Sequence, residues 1–340
     1  MGALGRKHQA WAFIGLGLDV GMVSSFSGKK ILITGINGFV GSHLAAALHE
    51  LGAHIEGTSR TPSDTKYLDA FFEKNKFLIH AMDLRKRNEV DTVLSRPYDL
   101  IFHLASQSDT WNSVQIPQET FETNVNGTLH ILENVRHQKK KPSIIIAGSV
   151  RAFEPPSGTS VEVIPLHPYD ASKLCMQVMA LSYFNAYNLN GAIAQNTNVF
   201  GPNDLNYRRL IPRVMKDVCA GDTVLLKGDG TIRRDFLYVK DAVNGLILLA
   251  QKVNSPDVNG KSFTFASGKV YSIREVAETI EKIYPDKVAI AFDEKPFEDR
   301  DLSRLDAGET QRVLGWKPEY SLENGLRETI KWYRQYFNQK

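Results

Sequence analysis

Residues 31–41, Ile-Leu-Ile-Thr-Gly-Ile-Asn-Gly-Phe-Val-Gly, constrain the fold more than any other stretch of the chain. A short apolar strand runs into glycines at three-residue intervals, Gly35, Gly38 and Gly41. A helical pattern of Leu44, Ala45, Leu48 and Leu51 follows and stops at Gly52. Glycines in that setting let the backbone turn tightly and come close to an anion, and the helix start behind them offers N–H groups and the positive end of a dipole. Strand, glycine turn and helix together open a dinucleotide-binding βαβ unit.

The same alternation continues as far as about Asn198. Short β-branched runs at Ile31–Thr34, His54–Ser59, Phe77–Met82, Leu100–Leu104, Ser143–Ala147 and Gly191–Asn196 read as strands, separated by helical patterns that include 123–135 and 172–187. The expected fold is α/β: a Rossmann-type doubly wound parallel sheet with a smaller C-terminal α/β lobe. The division follows as 1–28, an N-terminal extension; 29–200, the dinucleotide-binding domain; and 201–340, the substrate lobe. The boundary near 200 is soft, because Asp235–Val239 and Ser262–Phe265 look like strands able to rejoin the main body.

Composition narrows the function classes. With 340 residues the chain can bury a full core, and a net charge of +3 comes with scattered Lys and Arg. The dense run Lys139-Lys140-Lys141 reads as a solvated loop, so no nucleic-acid partner is expected. Two cysteines, Cys175 and Cys219, make neither a disulfide framework nor a zinc array; no metal is expected, and a reducing cytoplasm suits the chain. Arg6 and Lys7 precede an apolar stretch, Ala10 to Val23, that superficially looks like a signal sequence. Asp19 and several glycines interrupt it and it is shorter than a membrane span, so neither export nor a membrane anchor is expected. The expected natural start is Met22, which runs straight into the first strand.

A hydride can leave or join a carbinol carbon only if the oxygen's proton also moves. The site therefore needs a base whose pKa lies well below tyrosine's usual value of about 10. Tyr169-Asp-Ala-Ser-Lys173 supplies one: a helical turn puts Lys173 on the face of Tyr169, where its charge favours the phenolate. Ser149, at the end of the fifth strand, is placed to hydrogen-bond the same substrate oxygen. On the cofactor side, Asp83 follows the third strand, where a carboxylate can accept from an adenine amino group. Leu104-Ala105-Ser106-Gln107 ends the fourth strand with small residues that allow close approach. The second strand ends Thr58-Ser59-Arg60, with no acid to bind a ribose 2′-hydroxyl; Arg60 suits a 2′-phosphate, which favours NADP over NAD.

Nearly everything after residue 28 resembles the extended short-chain dehydrogenase/reductase family, the NAD(P)-dependent nucleotide-sugar epimerases and dehydratases. The likeness is carried by Thr34 to Gly41, His103-Leu-Ala, Tyr169 to Lys173, Asn198-Val-Phe-Gly-Pro202, Arg234-Asp-Phe-Leu-Tyr-Val239 and Leu314-Gly-Trp-Lys-Pro318. Within the family, Asn124-Val-Asn-Gly-Thr, Asn203-Asp-Leu-Asn and Gly228-Asp-Gly-Thr-Ile-Arg-Arg-Asp look closest to the CDP-glucose 4,6-dehydratase branch, with GDP-mannose 4,6-dehydratase more distant. The resemblance implies a Ser149, Tyr169, Lys173 triad. It implies a cofactor lying against Gly35, Asn37, Gly38, Phe39, Val40, Gly41, Arg60, Asp83, Leu84, Leu104, Ala105, Ser106, Gln107, Asn124, Tyr169, Lys173 and Val199. A nucleotide-diphosphosugar would then meet Arg151, Asn198, Arg209, Arg234 and Arg300, since a diphosphate suits planar, permanently charged donors. The resemblance also implies a homodimer pairing the helices near 115–137 and 169–188, with Leu174, Val178 and Leu181 on one flank.

One departure decides among reactions. The family's 4,6-dehydratases follow the Ser or Thr with an acidic residue that helps expel the C6 hydroxyl. Here Ser149 is followed by Val150, which moves no proton, and Arg151, which stays protonated. Phe153 stands where the family usually has Tyr. Oxidation and re-reduction at a carbinol, most naturally C4, need only the triad and the cofactor, so an epimerase or 4-keto reductase stays chemically complete while dehydration loses its acid and base. Arg151 would pair with a substrate carboxylate or with nothing. A cofactor-binding regulatory module is the alternative of another class, and it predicts a damaged triad.

Overall fold

The computed structural model describes residues 24–152, 167–286, 288–295 and 305–338. The apolar leader with Met22, and Phe153 and Arg300, lie outside the described residues. In chain order the first elements are β1 (Lys30–Thr34), α1 (Phe39–Glu50), β2 (His54–Ser59), β3 (Leu78–Ala81), α2 (Arg87–Leu94) and β4 (Leu100–His103). They are followed by α3 (Thr110–Gln115), α4 (Pro117–Phe121), a π-helical turn (Glu122–Asn126), α5 (Gly127–His137) and β5 (Ser143–Ser149). A 3₁₀ turn (Val150–Ala152), α6 (Pro168–Ala186), β6 (Gly191–Asn196), β7 (Asn198–Phe200), α7 (Leu210–Cys219), β8 (Val224–Leu226) and β9 (Arg233–Tyr238) come next. The chain ends with α8 (Val239–Lys252), β10 (Ser262–Phe265), β11 (Val270–Ser272), α9 (Ile273–Ile283), β12 (Ile290–Phe292), α10 (Gly308–Leu314) and α11 (Leu322–Asn338).

Two compact units divide these elements. The first runs through Gln195 and takes in Val243–Phe263; the second holds Asn196–Ala242 and everything from Thr264. In the main sheet the strand order is β10-β6-β5-β4-β1-β2-β3, with β1 parallel to β2 and β4, β2 to β3, and β4 to β5. The order reverses between β1 and β4, which is the switch point of a doubly wound sheet, where ligands gather at strand C-termini. The central strands lack alternation because both faces are covered: Ile31, Leu32, Ile33, Ile144 and Ile145 are fully buried. One face packs Leu32, Ile101, Ile144 and Ile146 against Val90 and Val93 of α2, Ile131 and Val135 of α5, and Met176 and Phe184 of α6. Each such side chain contributes roughly 1.5–3 kcal/mol of burial.

Helix α1 ends because Gly52, at φ 77°, takes the left-handed conformation and donates to His49 O, while Ala53 N reaches Leu48 O. The expected 123–135 helix is interrupted: one extra residue is accommodated in the π turn that carries Asn124, a distortion common at functional sites.

In the second unit β7, β9 and β11 form a three-stranded sheet, with β9 parallel to β7 and antiparallel to β11; β8 and β12 pair in parallel. Here the expectation divides. Ser262–Phe265 does join the main sheet as its edge strand, whereas Asp235–Val239 falls in β9 at the centre of the small one. Helix α11 lays Leu322, Leu326, Ile330 and Tyr333 against this unit, and Gly325 lets it come in close: a Cβ there would stand 2.7 Å from Phe200 and 2.8 Å from Tyr238.

Candidate active site

The glycine turn leaves no room for side chains. Gly35 sits at φ 70° with Ala105 behind it, so that a Cβ would meet Ala105 Cα at 3.0 Å, and a Cβ on Gly41 would fall 2.2 Å from Gly35 O. Gly38 is the N-cap of α1, with no side chain capping the helix and no acidic residue in its first turn. A tight turn delivering an uncapped helix start fits a pyrophosphate, so these residues suit a nicotinamide dinucleotide. Phe39 and Val40, expected beside the cofactor, open that helix. The Asn37 side chain points elsewhere. Its amide donates to Ser59 Oγ (2.7 Å) and Asp64 O (2.8 Å), tying the turn to the chain after β2.

A neutral hydrogen-bond network braces the tips of β1 and β4. Thr128 Oγ1 donates to Asn124 O (2.7 Å), so it accepts from His103 Nε2 (2.9 Å). That assigns the His103 proton to Nε2 and leaves Nδ1 to accept from the Thr34 hydroxyl (2.8 Å). Thr34 Oγ1 in turn accepts from Leu104 N and Ala105 N, both at 3.1 Å. Burial, and then the nearby Lys173 charge, push His103 down to about 3, which keeps it uncharged. The buried Asn124 side chain acts as a brace. Its Oδ1 accepts from Gln107 N (2.8 Å) and its Nδ2 donates to Gln107 O (3.0 Å) and Ser172 Oγ (2.9 Å), spending both amide protons. Ser172 Oγ passes its own proton to Tyr169 O (2.8 Å), fixing the first turn of α6. The Gln107 side chain folds back on Asp109, and Leu84 is buried beneath Gly127. Ser106 follows β4 and lies half-buried.

Helix α6 carries Tyr169, half-buried, and Lys173, only 3% exposed. Lys173 Nζ donates to Ala147 O (2.9 Å), and burial lowers its pKa to about 8. Ser149, buried at the end of β5, accepts from Arg151 N (3.3 Å) through Oγ. Arg151, expected to meet the substrate, is already paired within the chain. Instead of awaiting a substrate carboxylate, its Nε donates to Asp170 Oδ1 (2.8 Å) in an ion pair whose side chains are 9% and 0% exposed. Asp170 lies inside the Tyr-Lys box but 19 residues from Arg151, and no periodicity announces the pair.

At the ends of β2 and β3 the charges are already matched. Arg85 grips Asp83 through Nε and a second nitrogen and holds its carboxyl below the usual range. Arg60 Nη1 meets Glu119 Oε1 at 2.9 Å, and Arg85 reaches the same oxygen at 3.4 Å. Glu119, unmarked by any motif, therefore qualifies the expected 2′-phosphate ligand.

In the second unit, Arg209 is bound to the buried Asp204 (3.0 Å) within its own loop. Asn198 Nδ2 donates to Asp235 O (2.9 Å), Val199 pairs with Leu237, and Arg234 lies half-buried on β9 opposite Tyr271. Asp235 anchors the adjoining turn by accepting from Thr197 Oγ1, Ser267 N, Ser267 Oγ and Gly268 N, and burial raises its pKa. Among the described residues, no three His, Cys, Asp or Glu side chains are grouped to hold a metal, and no helix is long and apolar enough to cross a membrane.

Residues 31–264 match the sequence profile of the NAD dependent epimerase/dehydratase family. The chain belongs to that family. It is thus an enzyme of the extended short-chain dehydrogenase/reductase class. A UDP-glucose 4-epimerase of Mycolicibacterium smegmatis is 28% identical over 312 residues, 90% of this chain and 98% of that protein. A UDP-N-acetyl-alpha-D-glucosaminuronate decarboxylase of Bacillus cytotoxicus is 29% identical over 339 residues, 91% of this chain and 99% of the other. In fold, an epimerase of Methanothermobacter thermautotrophicus aligns with a TM-score of 0.83 at 24% identity, covering 94% of this chain and 96% of that one. Neither of the two relatives is a dehydratase, so the branch suggested by the sequence motifs gains no support from them.

Proposed function

We propose that this epimerase/dehydratase family member acts on nucleotide-diphosphosugars by hydride transfer at the sugar C4, foremost as an epimerase that oxidises and re-reduces that carbon, or as a 4-keto reductase that only reduces it and consumes the reduced cofactor. The observation that carries this reading is the tip of β5. The carbonyls of Ala147 and Ser149 accept from Lys173 and Gln177 of the helix that carries Tyr169, while the residues after Ser149, where dehydration would need an acid, are Val150 and Arg151, the latter paired with Asp170. When bound, the nicotinamide supplies the acceptor and donor of the hydride. Tyr169 takes the C4 hydroxyl proton and later returns it. Lys173, cationic below about pH 8, favours the phenolate. Ser149 Oγ accepts from Arg151 N and so keeps its own proton for the substrate oxygen. In the second unit Arg234 and Asn198 are the proposed contacts to the diphosphate and sugar.

The finer cofactor reading is NADP over NAD: Arg60 follows β2, no acidic residue closes that strand, and Glu119 must yield Arg60 to a 2′-phosphate. Exposed Trp111 and Val114 on α3 and Val178 on α6 support the homodimer, although Leu181 packs into the core; light scattering giving a monomer would remove it. The free thiols Cys175 and Cys219 suit a cytoplasmic setting.

The test is incubation of the protein and NADP or NAD with CDP-, GDP-, UDP- and dTDP-hexoses and hexuronic acids, followed by chromatography and mass spectrometry. A new peak at unchanged mass, or at two added hydrogens when reduced cofactor and a 4-keto sugar are supplied, supports the reading. Loss of water would make it a dehydratase, and loss of carbon dioxide a decarboxylase.

A further inference from the structure

Three ties join α6 to the strand that ends in Ser149, and they leave the helix at Asp170, Lys173 and Gln177, positions three and four apart on one face. Lys173 Nζ holds Ala147 O at 2.9 Å, Gln177 Nε2 holds Ser149 O at 3.3 Å, and Asp170 holds Arg151. The helix can come this close because residue 148 is glycine; a Cβ there would stand 2.3 Å from Gln177 Oε1. Of the three ties, the ion pair is the one nearest Tyr169, and Arg151 N is itself the donor to Ser149 Oγ.

Stability alone does not account for this pair. Both side chains are out of water, where desolvation cancels most of the Coulombic gain and well-packed apolar residues would hold the fold as well. Asp170 lies in the first turn of α6, where the helix dipole favours a negative charge, which explains how the charge persists and not why it is present.

We propose that the buried Arg151–Asp170 pair is a positioning device for the reaction, setting the register of Ser149 against Tyr169. The proposal rests on the reading of Ser149, Tyr169 and Lys173 as the reacting groups. An ion pair with a planar guanidinium is directional in a way that apolar packing is not, so it fixes the strand tip laterally against the first helical turn. A displacement of about 1 Å at such a tip costs on the order of a hundredfold in rate.

The experiment compares native enzyme with Arg151→Met, Asp170→Asn and the double variant, reading kcat, KM, dinucleotide Kd and melting temperature on whichever nucleotide sugar the native enzyme converts. Each single variant strands a buried charge and loses thermal stability. The double variant strands none. It is expected to recover the native melting temperature, KM and dinucleotide Kd while its kcat stays at least about tenfold down. A double variant that regains native kcat along with stability overturns the proposal, and so does one that cannot fold, because the pair then serves the fold alone. A native protein that converts no nucleotide sugar refutes the proposed function and this inference with it; a native enzyme that turns over beside an unimpaired double variant refutes only the inference.

Discussion

The two units bury their polar groups in opposite ways. At the strand tips of the first unit the bracing is neutral, through Thr34, His103, Thr128 and Asn124, and charge is kept for one place. Among the described residues, the buried Lys, Arg, Asp and Glu side chains of that unit are Arg151, Asp170 and Lys173, all on β5, its following turn and α6. The second unit relies on buried carboxylates, Asp204, Asp235 and Asp241, each accepting backbone N–H groups from loops that short strands cannot hold by themselves. Under the proposed function, buried charge in one unit serves the chemistry, and in the other it serves the fold.

The two uses also titrate in opposite directions. Lys173 has its folded pKa lowered to about 8, so its stabilising share is present above its unfolded value of about 10 and is lost as pH falls through 8. Asp241 is raised to about 6 by burial, so its share is full below the unfolded value of about 4 and is lost as pH rises through 6.

Four substitutions test the contrast, in order of expected effect. Tyr169→Phe removes the proton carrier and should lower turnover about a thousandfold while leaving dinucleotide Kd unchanged by calorimetry. Retained turnover would mean that the first unit's buried charge serves something else. Asp235→Ala should destabilise the protein by about 3 kcal/mol in chemical denaturation, because four donors lose their acceptor. Lys173→Met should do the reverse. It abolishes turnover yet raises stability at pH 7 by about 2 kcal/mol, the desolvation cost less one hydrogen bond, and the gain should vanish above about pH 10. If Lys173→Met destabilises instead, the contrast between the units fails. Smallest is Glu119→Gln, which releases Arg60 and should tighten NADP about threefold relative to NAD in a fluorescence titration.

Legibility in the sequence followed the range of the interaction. The β1–α1 turn could be read because Gly35, Gly38 and Gly41 act on the backbone within one turn, and Tyr169 with Lys173 because helical spacing is local. Arg151–Asp170 and Arg60–Glu119 could not, and Arg209–Asp204, only five residues apart, lies in a loop with no repeat to read. Each arginine was visible as a candidate ligand, but the carboxylate that occupies it stands in a segment whose approach no periodicity encodes. Asn124 shows the same limit more subtly: its motif marked an important position, while the use of both amide protons on Gln107 and Ser172 depends on a π turn that the pattern reads as plain helix.

Central to the proposed chemistry is that C4 is oxidised and reduced again within a single bound turnover, with no elimination. The most direct measurement uses a nucleotide-hexose deuterated at C4, incubated in ordinary water and analysed by mass spectrometry and proton NMR. The expected result is a C4-epimeric product that retains the deuterium at C4 at unchanged mass. A product that has lost the label to solvent, or lost water or carbon dioxide, would contradict it.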